Sequence, residues 1–186
     1  MPLKSNLFHH RQGLGLIELV IYIALASWVL VGIVTFSWRV MGVGATADAS
    51  AELTQNGRFA LTRISQAIRS ADGLNQGASM LGVHPGVLTL DVPGTTDVVI
   101  DTYTKNLILG GQPVTIRKLR MKNSSGVTAD LTSDAVDFTN FTVSELQRES
   151  EAMNFQIALT LRPVRGAQDP LLNRTLVLTT SASIRR

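Results

Sequence analysis

A lone carboxylate, Glu18, stands at the mouth of a run with no charged residue, residues 19–38. A carboxylate in a membrane-spanning segment costs ~2.5–3.5 kcal/mol on insertion scales, so its presence calls for a partner cation or a task. Few other groups offer comparable chemistry. The chain has no cysteine, which excludes thiol catalysis, cysteine zinc sites and disulfides. Of three histidines, His9 and His10 lie near the N-terminus and only His84 lies in the body, too few for a histidine metal site. His84 precedes a proline, and no nucleophile motif such as G-x-S-x-G accompanies it, so no catalytic residue is assigned. Glu145, Glu149, Glu151 and Asp169 lack the spacing of an oxygen-ligand loop and read as a solvated acidic turn, so neither metal nor cofactor is expected. Asn123, Asn140 and Asn173 each begin a glycosylation sequon, a short pattern that here reads as turn or strand.

The elements that must position Glu18 follow from the apolar pattern. In a helix at ~1.5 Å per residue, ~20 residues cover the ~30 Å hydrocarbon thickness of a bilayer. Ser27, Thr35 and Ser37 can bond back to helix carbonyls and so are compatible with a span. Lys4 and Arg11 precede the run and Arg39 follows it, which by the positive-inside rule places the N-terminus in the cytoplasm and the body outside. The run is longer than the apolar region of an ordinary signal peptide, although Ala45-Thr46-Ala47 offers the small residues such a peptide would need.

Beyond Trp38 the pattern becomes amphipathic. Leu53, Ala60, Ile64, Ile68 and Ala71 recur near helical spacing while Arg58, Arg63 and Arg69 point elsewhere. No proline interrupts residues 3–84, so one helix is expected from about Leu14 to about Ala71, stopped at Asp72-Gly73 with Gly73 left-handed. Short β-branched runs then predict strands at 87–92, 98–104, 106–109, 114–118, 135–143, 154–163 and 174–184, turning at Gly110-Gly111 and at Asn123-Ser124-Ser125-Gly126. Phe155, Ile157, Leu159 and Leu161 alternate with Gln156, Ala158, Thr160 and Arg162, which gives that strand one dry face. The amphipathic half of the helix is the expected cover, so the fold class is α+β: a long N-terminal helix on a C-terminal antiparallel sheet. The formal net charge is +3, and Lys4 and Arg11 supply two of those charges near the N-terminus, so bulk charge gives no support to a nucleic-acid partner.

Gly13-Leu14-Gly15-Leu16-Ile17-Glu18-Leu19 resembles the processing motif of type IV prepilins and type II secretion pseudopilins, with the L-I-E-L run unchanged. The resemblance implies a pilin-like fold and division into a leader at 1–13, an assembly helix at 14–39, its amphipathic continuation at 40–72 and a β head at 73–186. It implies cleavage by a prepilin peptidase between Gly13 and Leu14 and N-methylation of Leu14. Glycine at the cut has a physical reason, since it costs least where the chain leaves the helix for an extended form. The resemblance also implies that Glu18 docks onto the free amine of a neighbouring subunit. Leu14 stands where phenylalanine or methionine is usual, and Gly15 where threonine is usual.

Further segments are similar to W-type minor pilins and J-type minor pseudopilins: Asn56-Gly57-Arg58-Phe59-Ala60-Leu61, Leu131-Thr132-Ser133-Asp134, and Leu178 through Arg185. The implied function is a minor subunit of a type IV pilus or type II secretion pseudopilus, acting in assembly initiation or at the tip. The implied partners are the peptidase, other pilins or pseudopilins through the N-terminal helix, and the inner-membrane assembly platform. The alternative is a single-pass, membrane-anchored extracytoplasmic binding protein that never assembles.

Overall fold

A computed structural model describes residues 14–92, 94, 96–123, 125–146, 153–167, 169 and 172–184. Helix α1 covers Leu14–Ser70, and the strands are β1 (Gly73–Leu74), β2 (Leu88–Asp91), β3 (Val98–Leu109), β4 (Gln112–Lys122), β5 (Thr128–Asp130), β6 (Val136–Leu146), β7 (Met153–Pro163) and β8 (Leu176–Ile184). The chain separates into two compact units, Met1–Ala45 and Thr46–Arg186.

In the first unit no described side chain is buried. Trp28 is 83 % and Trp38 is 76 % exposed, and the Leu, Ile and Val side chains between them are open as well. Each such side chain gains roughly 1.5–3 kcal/mol on leaving water, so this stretch requires lipid or other apolar surface. The helix is long and apolar enough to cross a membrane once, as a single-pass anchor does. Its hydroxyls bond back one turn as expected: Ser27 Oγ donates to the Ile23 carbonyl at 2.7 Å, Thr35 Oγ1 to Val31 at 2.8 Å, and Ser37 Oγ to Ile33 at 2.9 Å.

In the second unit the strands form two antiparallel sheets, β1-β2-β3-β4-β5 and β6-β7-β8, where one sheet was expected. No ladder joins β4 to β6; there the Arg117 N–H donates instead to a side chain, the Asp137 carboxylate, at 2.8 Å. Leu53, Ala60, Ile64, Ile68 and Ala71 are all buried and form one core with Leu88, Leu90, Ile100 and Leu119 of the larger sheet and Phe138, Phe141, Phe155, Ile157, Leu159 and Leu161 of the smaller. The amphipathic stretch of α1 therefore covers the sheets as its periodicity predicts.

Three expectations need correction. Gly73 is an extended residue of β1 paired with Asp91, and the chain passes from the helix into that strand when the Asp72 N–H donates to the Asp91 carbonyl at 3.0 Å. The break expected at Lys105 is absent, since β3 runs unbroken with Lys105 half-buried and paired to Asp134. Strand β4 continues past Lys118 to Lys122, because the charges that looked like a strand end have partners. The Gly110-Gly111 turn is as expected: both glycines have positive φ, 56° and 80°, between the paired Leu109 and Gln112, as a two-residue hairpin requires.

Helix and sheet approach closely at the buried Gly57, where a Cβ would lie 2.4 Å from Leu178 Cδ1. One residue earlier, Asn56 Oδ1 accepts the Ser133 N–H at 2.8 Å. Three stretches far apart in the chain, around Asn56-Gly57, Ser133 and Leu178, thus meet at this turn of α1. Leu178 is half-buried and its terminal methyl can swing aside, and alanine favours a helix over glycine by ~1 kcal/mol. Gly57→Ala should therefore change stability by less than about 1 kcal/mol, whereas Gly57→Val should cost roughly 1–3 kcal/mol through overpacking. Urea unfolding of the full-length chain in detergent micelles measures both, and a valine variant as stable as the parent would contradict the close packing.

Candidate assembly site

Of the residues predicted to carry the function, Gly13 lies outside the described residues. Leu14 is the first residue of α1, and its side chain also lies outside them. Glu18 follows four residues later, which puts the two positions on one face of the helix about 6 Å apart along its axis. The Glu18 side chain is exposed, and the Tyr22 hydroxyl donates to its Oε1 at 3.3 Å. Sequence reasoning missed Tyr22, although its spacing of four from Glu18 on a helix was the available signal. Chemically, the arrangement is an anion that keeps one weak donor on an otherwise apolar surface, one turn into a helix whose first residue sits above it.

The body contains a second charged constellation that the sequence reading did not anticipate. Lys118 is 3 % exposed, and its Nζ donates to Asp130 Oδ2 at 2.7 Å and to Asp134 Oδ1 at 2.6 Å. Lys105 Nζ reaches the other Asp134 oxygen at 2.7 Å, and the Tyr103 hydroxyl lies 2.9 Å from both oxygens of Asp130. Arg120 grips Asp101 with two parallel bonds, 2.7 and 2.8 Å, while its guanidinium lies 5.1 Å from the centre of the Tyr103 ring. Burial pushes the Lys118 ammonium toward neutrality, but its hydrogen bonds to Asp130 and Asp134 outweigh this and hold it above the usual lysine range. Burial likewise raises Asp130, yet the bonds from Lys118 and Tyr103 carry it below the usual carboxylate range. Asp134 is lowered by Lys105 and by Lys118. The available signal was the alternation of Lys118, at the expected strand end, with Arg120 and Lys122 beyond it.

His84 holds a loop in place. Phe141 of β6 donates its N–H to His84 Nδ1 at 3.0 Å, Nε2 meets Arg117, and Gly82 and Gly86 donate to the Val143 and Phe141 carbonyls at 2.8 and 3.0 Å. Asn123 Oδ1 accepts from the Ser125 and Val127 amides within its turn, and Asn140 lies in β6. Glu149 and Glu151 lie outside the described residues, and no group of three potential metal ligands converges among the described ones. Compared with family models, curated proteins and solved structures, the chain matches none.

Two outcomes follow for the charged cluster. Asp130 and Asp134, with lowered folded-state values, contribute stability that is full above the ordinary carboxylate pKa and is lost as pH falls through the lowered ones. Lys118, with a raised value, contributes stability present below the ordinary lysine pKa and lost as pH rises through the raised one. Lys118→Met should cost roughly 1–3 kcal/mol at neutral pH and flatten both dependences. Thermal melts from pH 2 to 12 check this, and an unchanged acid limb would contradict it. His84→Ala leaves the Phe141 amide without its acceptor and should cost about 1–3 kcal/mol, measured by the same melts.

Proposed function

We propose that this chain is a minor subunit of a type IV pilus or type II secretion pseudopilus. The precursor inserts with its N-terminus in the cytoplasm and its β-rich body outside. A prepilin peptidase cuts between Gly13 and Leu14, and the freed Leu14 amine is methylated. The observation that carries the reading is the exposed Glu18 carboxylate on an apolar helix, with the weak Tyr22 bond as its described partner.

Cleavage supplies what that carboxylate lacks. The new amine is a cation about one helical turn from Glu18 along the axis, and in the low dielectric of packed helices an unpaired Glu18 would be costly. Pairing with the amine of a neighbouring subunit removes that cost and fixes the axial register of one helix on the next. The exposed apolar residues around it then leave lipid for helix–helix contacts, where no large hydrophobic penalty opposes transfer, so the charge pair selects the position. Convergence of the three minor-pilin-like segments around Gly57 supports the minor-subunit assignment. The body would initiate assembly or sit at the tip, with the assembly platform and other pilins or pseudopilins as partners.

Glu18→Ala separates docking from processing. Cleavage should proceed largely unchanged, while recovery of the protein in sheared filaments or pseudopili should fall at least ten-fold. Unaltered recovery would contradict the docking role of Glu18, and a filament built chiefly of this protein would contradict its minor status.

A further inference from the structure

Most open edges of the two sheets are short, charged or partly covered: β3 runs past β2 over residues 101–109 but carries Asp101 and Lys105, and β4 runs past β5 over 112–119 but carries Pro113, Arg117 and Lys118. Strand β1 has 2 residues, and β5 has 3 and ends in Asp130. The 11-residue β6 is covered by the loop that Gly82, His84 and Gly86 pin to Phe141 and Val143. Strand β8 is different. Its 9 residues contain neither charge nor proline, and among the described residues it pairs with β7 alone. An edge this long without a charge, a proline or a cover is a template for another strand.

Beside that edge runs a groove of about 430 Å³ between α1 and β8, lined by Leu61, Thr62, Ser65, Gln66, Arg69 and Thr180. Arg69 is exposed and forms no ion pair with any described residue. We propose that β8 accepts an extended segment of a different protein as a fourth strand of the smaller sheet, lying over the groove with a carboxylate toward Arg69. Backbone hydrogen bonds along β8 supply the affinity, and the Arg69 cation supplies the selection. Pairing of β8 with its own copy about Thr180 is disfavoured, because both Arg69 guanidiniums would enter one groove. The inference stands apart from the filament reading, since a Glu18 variant leaves β8 untouched.

Amide hydrogen exchange on the full-length chain tests it. Exchange over residues 176–184 is compared between the chain purified alone in detergent micelles, the same at ten-fold higher concentration, and the chain extracted in mild detergent from membranes of its own cells with bound proteins retained. Edge amides should exchange at least ten-fold slower in the extract, and Arg69→Glu should abolish the slowing while β6 and β7 keep theirs. Equal exchange in extract and pure protein would overturn the proposal. Slowing by concentration alone would assign the edge to a second copy and overturn the choice of partner, and slowing that survives Arg69→Glu would overturn recognition through a carboxylate.

Discussion

Apolar side chains leave water along both stretches of α1, and they do so by different routes. Over residues 53–71 the stripe of Leu53, Gly57, Ala60, Ile64 and Ile68 is closed by the chain's own strands. At roughly 1.5–3 kcal/mol for each large side chain, this contact is what the two sheets are organised around. Small residues at Gly57 and Ala60 let the strands approach the helix axis, and Leu178 fills the resulting space. Over residues 16–43 the same polypeptide geometry offers nothing to close the surface from within that unit. Lipid or other helices must do so, and Glu18 is the group that has to be satisfied in whichever surroundings result.

Polar groups in the body are handled more fully than those in the helix. Lys118 is buried but sits between two carboxylates that keep a hold on solvent, and Asp137 is shared by the Arg117 backbone and the Arg162 guanidinium. Such pairs add modest net stability, but removing one partner is costly, so they fix register where apolar packing alone would tolerate slippage. His84 extends this logic to a sheet edge, replacing a missing strand with a ring nitrogen and two loop amides. The contrast with Glu18 and with the bare edge of β8 marks where the molecule remains open to others.

Much of this was legible in the amino-acid order. The span, the amphipathic stripe, the dry face of β7 and the double-glycine turn follow from periodicity and backbone freedom, which are local. The partition into two sheets was not legible, because strand pairing is a long-range choice that local periodicity does not encode; the Asp137 contact to the Arg117 amide, between residues 20 apart, is of the same kind. Lys105 and Lys118 looked like strand breaks for the same reason: a charge reads as exposed until its long-range partner is known. Gly13, Leu14 and Glu18 were named from a short motif alone, whereas Tyr22 came to light only when the helix brought it alongside Glu18.

Docking through Glu18 requires a mature chain that begins at Leu14, so that an amine exists to meet the carboxylate. Intact-mass and N-terminal peptide mass spectrometry of the protein isolated from its own membranes tests this directly. The expected result is a chain starting at Leu14 with its amine methylated. A chain retaining residues 1–13, with Met1 or Pro2 at its start, would contradict it and favour a permanently anchored binding protein.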